Sequence, residues 1–262
     1  MIIAGYLATL LVGASLGLIG AGGSILMVPI LVYLFHLPAT QATAYSLFVV
    51  GITAAIGTAR YFRDGTVDLK SAALFGIPSS IGTLASRAWI VPALPKTLFS
   101  FGSVNVSRDS ALLILFAGLM ISAAMAMIRP SDRLSADDAG GNNSVSMALL
   151  GSVVGVLMGL VGAGGGFLII PALVVRARLP MKTAIGSSLM IIAVNSLIGF
   201  TGAALRQTID WKLIGSLAVI SALGIGVGTH LSKSIPGARL RPAFGVFVLV
   251  MGAFIVGREL LG

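Results

Sequence analysis

The chain is 262 residues long, 57% hydrophobic and 10% charged, with a mean hydropathy of +1.05. An ordinary soluble domain is about 25% charged, so the composition points to lipid as the solvent. With no cysteine, disulfides, thiolate metal sites and thiol redox chemistry are excluded.

Eight apolar stretches follow one another, at about 2–35, 38–62, 68–92, 108–128, 145–175, 180–205, 210–234 and 240–261. Runs of about 18 or more apolar residues read as membrane segments. The expected fold is therefore all-α, a polytopic integral membrane protein of the cell (plasma or inner) membrane. The first stretch has no basic residue ahead of it, unlike a cleaved signal peptide, and is expected to stay in the mature chain. Pro38 and Pro180 open the second and sixth stretches, as suits a first helical turn. Asp68 and Asp210 open the third and seventh, as helix caps do. The polar run 129–144 reads as a flexible linker between a first membrane repeat, 1–128, and a second, 145–262. Its three aspartates read as a solvated loop rather than a metal site.

The two repeats share a sequence signature. Gly17-Leu18-Ile19-Gly20-Ala21-Gly22-Gly23-Ser24, closed by Pro29, returns as Gly159-Leu160-Val161-Gly162-Ala163-Gly164-Gly165-Gly166, closed by Pro171. The offset is 142 (159 minus 17), and it also relates Pro38 to Pro180, Ser46 to Ser188, Asp68 to Asp210 and Gly82 to Gly224. Residues 100–107 read as an insertion in the first half.

Loop charges test the direction of the halves. If all eight stretches cross once, the Lys and Arg residues divide 8 to 9 between the two sides. If each glycine-broken stretch folds back, Arg176, Arg178, Lys182, Lys233, Arg239 and Arg241 join the first side, Arg206, Lys212 and Arg258 leave it, and the division becomes 11 to 6. The positive-inside rule prefers the second. A straight helix over 2–35 would also run about 50 Å against a hydrocarbon core of about 30 Å. Inverted halves with glycine breaks at hairpin tips are expected; a tilted, kinked single helix is the alternative.

A break in a membrane helix must line a cavity or be buried in protein. The half-helix after it offers unpaired N–H groups and the positive end of its dipole, an anion site without a charged side chain. The candidate substrate-binding residues are Gly22, Gly23 and Ser24 with Gly164, Gly165 and Gly166. Ser46, Ser188 and Asn195, in the following helices, are candidates to complete the shell. Gly-x-x-x-Gly spacing, as in Gly13 to Gly17 and Gly155 to Gly159, also serves plain helix packing. The serines are equally able to bond their own helix's carbonyls. Every carboxylate lies at a segment end or in a loop, so neither an acid–base pair nor a metal constellation is visible; no enzyme, cofactor or metal is expected.

At these residues the chain resembles the sulfite exporter TauE/SafE family of membrane anion transporters. The two glycine motifs carry the likeness, together with Ala44-Tyr45-Ser46-Leu47, Gly186-Ser187-Ser188-Leu189, Asp210-Trp211 and Arg239-Leu240-Arg241-Pro242-Ala243-Phe244-Gly245. The resemblance implies a duplicated membrane protein that moves sulfite or another small sulfur-containing or organic anion out of the cell. A secondary transporter with a central site follows as the leading expectation. A passive anion channel, or a carrier of a small carboxylate, is the alternative. The expected partners are a small anion and the lipid bilayer. The net charge of +9 is scattered between apolar segments, so no nucleic acid is expected. The glycine faces at 5, 13, 17 and 118 suit packing within or between protomers, which leaves a homo-oligomer open.

Overall fold

A computed structural model describes residues 2–20, 22–90, 93, 97–101, 104–107, 144–161, 166–175, 177–204 and 208–236, with short pieces of 117–128 and 242–257. Its helices are α1 (Ile2–Ile19), α2 (Gly22–Tyr33), α3 (Ala39–Arg63), α4 (Leu69–Ala85), α5 (Ser144–Val161), α6 (Gly166–Val175), α7 (Met181–Ala204) and α8 (Trp211–Ser234). The described pieces of 117–128 and 242–257 are helical as well. A short antiparallel hairpin, β1 (Thr97–Phe101) with β2 (Val104–Ser107), overlaps the stretch read as an insertion. Of the stretch 129–144 read as a linker, residues 129–143 lie outside the described residues, and Ser144 begins α5.

Among the described residues three helices, α3 over Gln41–Arg63, α7 and α8, are long and apolar enough to cross a membrane. Outer helix rows stay apolar: Val219, Leu223 and Val227 of α8, and Ile77, Ile81 and Leu84 of α4, are all exposed. Such a surface is stable against lipid tails and a liability in water. The protein is membrane-integral.

Local chemistry starts and stops these helices as the residues demand. Asp68 and Asp210 sit at the N-caps of α4 and α8, and the side chain of each accepts from the N–H groups two and three residues on. Pro38 is the N-cap of α3, one place earlier than a first-turn proline. Helix α2 ends with His36 at φ +54° and an N–H···O bond from Leu37 to Leu31; α6 ends with Arg178 at φ +52° and the bond from Leu179 to Leu173. Both are left-handed caps made by residues other than glycine.

The first glycine break turns the chain back on itself. Gly20 has φ +84°, a conformation glycine adopts without a Cβ penalty. Beyond it, Gly23 backs onto the Val12 carbonyl and Leu16 of α1, and Phe35 lies over Gly5. The Tyr6 and Phe35 rings meet edge-on at 5.6 Å. Hence α2 returns along α1 instead of extending it.

Small residues then set the long-range packing. In the α1–α8 seam, a Cβ at Gly13 would overlap the Ser221 carbonyl, and one at Gly228 the Ala14 carbonyl. In the α4–α5 seam, Gly151 meets the Phe75 carbonyl and Gly155 that of Ser79. Contacts advance together in both seams, so each pair is parallel. Helices α3 and α7 cross antiparallel, with Gly51 against Leu197, Gly57 against Leu189, and Gly186 against Tyr61. The glycine faces at 13 and 17 are thus filled within the chain, whereas Gly118 meets nothing within 4 Å.

One end of the bundle collects charge. Lys233 at the end of α8 pairs with Asp64 at the end of α3 at 2.9 Å, and Lys182 at the start of α7 donates to the Lys233 carbonyl at 3.4 Å. Asp64 and Lys182 on one side is the arrangement expected of fold-back stretches, since a single crossing by 145–175 would separate them.

Candidate functional site

The candidate site residues named from the sequence lie in the two glycine runs and in α3 and α7. Ser24, in the first turn of α2, is fully buried, and Gly23 beside it is buried too. Gly22 begins α2 and Gly166 begins α6; Gly164 and Gly165 lie outside the described residues. Pro29 and Pro171 are carried inside α2 and α6, which continue through them. The first turn also reaches the second half. A Cβ at Gly20 would stand 2.8 Å from Cγ2 of Ile185 in α7 and 3.2 Å from Cδ1 of Ile170 in α6, and α2 touches α6.

The shell residues have distinct fates. Ser46 is 1% exposed in α3. Ser188 is fully buried, but its hydroxyl donates to the Ile185 carbonyl of its own helix at 2.8 Å. Asn195 is tied to α4: its Nδ2 donates to Ser79 Oγ at 3.0 Å, and its Oδ1 accepts from Ser80 Oγ. The matching Thr53 bonds the Val49 carbonyl at 2.6 Å. Asn195 therefore serves between helices, one of the two roles its buried amide suggests.

The buried polar side-chain groups among the described residues are serine, threonine and tyrosine hydroxyls and one carboxamide. Any anion inside would meet neutral donors, with no buried guanidinium or ammonium among those residues. Charged groups lie at the ends, where Arg60 donates to the Gly226 carbonyl and to Thr229 Oγ1, both at 3.1 Å. Arg206 lies outside the described residues. No group of three or more His, Asp or Glu that could hold a metal occurs among the described residues.

Two reciprocal bonds cross between the halves. Ser187 of α7 accepts the Asp68 N–H at the start of α4 at 2.9 Å, and Tyr45 of α3 accepts the Asp210 N–H at the start of α8 at 2.7 Å. Ser187 and Tyr45, and Asp68 and Asp210, are each 142 apart (187 minus 45; 210 minus 68). Sequence reasoning did not single out Tyr61, whose buried hydroxyl donates to the Gly17 carbonyl at 2.8 Å and pairs with Ser232 at 2.7 Å. Its place two residues before the end of α3 resembles that of an interfacial aromatic, so no local signal marks it.

The sequence profile described as Sulfite exporter TauE/SafE matches residues 5–255. The chain belongs to this family. The chain is also similar to a "Probable membrane transporter protein" of Xylella fastidiosa (strain 9a5c), 32% identical over 95% of this chain and 92% of the relative. The "Probable membrane transporter protein YunE" of Bacillus subtilis is 28% identical over 94% of each chain. A similarly described protein of Methanocaldococcus jannaschii is 26% identical over 98% of this chain and 94% of its own length. No solved structure matches. Membership makes the chain a membrane transporter of the TauE/SafE type, with a small substrate and a bilayer as its surroundings.

Proposed function

We propose that the protein is a secondary transporter of a small anion, with sulfite or an organosulfonate as the favoured substrate and export across the plasma or inner membrane as its direction. It carries its cargo unchanged and is not an enzyme. The observation that carries this reading is the glycine break itself. It recurs at a constant offset, the first copy folds back with a buried Gly23 and Ser24, and its turn reaches Ile170 and Ile185 of the other half.

In this reading the chain is two inverted repeats, 1–128 and 145–262, joined by the linker 129–144. The antiparallel α3–α7 crossing and the parallel α1–α8 and α4–α5 seams support it, since equivalent helices then run in opposite senses. Gly22, Gly23 and Ser24 with Gly164, Gly165 and Gly166 present backbone donors to the anion. Ser46 and Ser188 stand near, and Ser188 is free to rotate from its own carbonyl to the substrate. Asn195 holds α4 in register beside them. Rocking of one half against the other about this centre moves the site between the two faces.

The test is counterflow of labelled sulfite in proteoliposomes, with sulfate, sulfoacetate, acetate and chloride as competitors. Saturable exchange blocked by only some of them is expected, and it separates a carrier from a channel. Gly165→Val is expected to abolish exchange at unchanged folding, whereas Gly23→Val sets a branched carbon against the Val12 carbonyl and is expected to lose folded protein. Retained exchange in a folded Gly165→Val removes the glycine runs from the site.

A further inference from the structure

The last carbonyls of a helix have no partner within it. Where α1 stops, the Gly20 N–H meets the Leu16 carbonyl at 2.8 Å. The next carbonyl, that of Gly17, is met from outside the helix, by the Tyr61 hydroxyl of α3 at 2.8 Å. A phenol has one proton to give. With that proton on Gly17, the 2.7 Å contact between Tyr61 and Ser232 Oγ is a bond that Ser232 of α8 donates. The run from Ser232 through Tyr61 to Gly17 therefore ties α8 and α3 to the last turn of α1, and Tyr61 is only 4% exposed.

The tie lies beside the first glycine turn on two sides. Gly17 stands three residues before Gly20, whose φ is +84°. On the other side, a Cβ at Gly186 of α7 would stand 3.0 Å from Cβ of Tyr61, and the adjacent Ile185 is the residue that meets Gly20. Behind the ring, the Tyr61 carbonyl accepts from the N–H and the hydroxyl of Thr66, both at 3.0 Å. The position matching Tyr61 in the second half is Ala203 (203 minus 61 is 142), and that matching Ser232 is Ile90 (232 minus 90 is 142). Neither side chain can hydrogen-bond, so these two positions build no such tie at the second glycine run.

We propose that Tyr61 is a positioning residue for transport: by capping Gly17 it fixes the turn at Gly20 and, through it, the start of α2 at Gly22, Gly23 and Ser24. This rests on the transporter reading above and adds to it the group that holds the first helix start in place. Tyr61 acts through the backbone, because its hydroxyl is committed to Gly17 and Ser232. A helix start selects an oxyanion by where its N–H groups point, and Gly22 is five residues from the capped carbonyl (22 minus 17). An uncapped Gly17 lets that short span shift, and a site loses much of its grip when its donors move by about 1 Å.

The experiment compares the parent with Tyr61→Phe and Tyr6→Phe in sulfite counterflow, and measures the thermal midpoint of each with and without sulfite. Tyr6 is the matched control. Its hydroxyl also pairs with a serine of α8, Ser216 at 3.0 Å, but near the start of α1, away from the turn. Y61F is expected to raise the half-saturation for sulfite about tenfold, with a maximal exchange rate within about twofold of the parent. Its sulfite-dependent thermal shift is expected to shrink. Y6F is expected to keep the parent's half-saturation and sulfite-dependent shift, whatever its midpoint without sulfite. Should Y61F fail to fold, Tyr61→Met, which repacks readily and has no donor, is read in its place. Unchanged half-saturation in a folded Y61F, or an equal rise in Y6F, overturns the inference and leaves the transporter reading standing. A parent with neither saturable counterflow nor any sulfite-dependent thermal shift overturns both.

Discussion

In the α4–α5 seam, Gly151 and Gly155 sit against the carbonyls of Phe75 and Ser79; in the α1–α8 seam, Gly13 and Gly228 sit against those of Ser221 and Ala14. The backbones approach in the same way at both, yet the polar finish differs. Ser79 of α4 is bonded by Asn195. Ser221 stands at the same place in α8 (221 minus 142 is 79), and the position matching Asn195 is Thr53. Thr53 turns back to the Val49 carbonyl, and Ser221 is left without a partner. A carboxamide reaches further than a hydroxyl and offers both a donor and an acceptor, whereas threonine satisfies itself within its helix. Glycine spacing therefore fixes where the helices meet, while one side chain decides how tightly a crossing is locked.

The largest effect should come from removing what the seams share. Gly155→Val or Gly13→Val puts branched carbons into a neighbouring backbone carbonyl that cannot move aside. Each is expected to cost about 3 kcal/mol, the upper end for overpacking, read as loss of folded protein in detergent. Equal losses support equivalent seams; a tolerated variant at either one breaks the comparison.

What distinguishes the crossings should be worth less. Asn195→Leu removes the donor to Ser79 Oγ, while Ser80 keeps the Gly76 carbonyl; it is expected to cost about 1–2 kcal/mol, whereas Thr53→Val should change stability by under about 0.5 kcal/mol. Similar values in thermal or denaturant unfolding would refute the asymmetry. Smaller again, and of opposite sign, are the helix ends. His36→Gly and Arg178→Gly each relieve a left-handed residue and should stabilise by about 0.5–1 kcal/mol. Lys233→Ala removes an ion pair whose side chains are 59% and 39% exposed. It should shift stability by less than about 0.5 kcal/mol, and by less still in high salt.

Much of this architecture is local and therefore legible in the chain. The apolar stretches, the Asp68 and Asp210 caps, the glycine break before α2 and the fold-back choice all follow from periodicity, capping chemistry and loop charge, which act over a few residues or count whole loops. The candidate site is legible only in outline. The glycine runs and their serines can be named from spacing, but no local rule assigns Asn195 to Ser79 and Ser80, Ser188 to its own carbonyl, or Tyr61 to Gly17.

Sequence alone determined the membrane environment, the family, the repeated glycine motif and the starts of its helices, because each depends on neighbours along the chain. Tertiary structure decided that Gly13 and Gly17 are filled by α8 within the same chain. It also decided that Tyr45 and Ser187 each bond the helix start of the opposite half. Those outcomes depend on which helix arrives alongside and at what height, and that is set by the packing of segments more than a hundred residues apart.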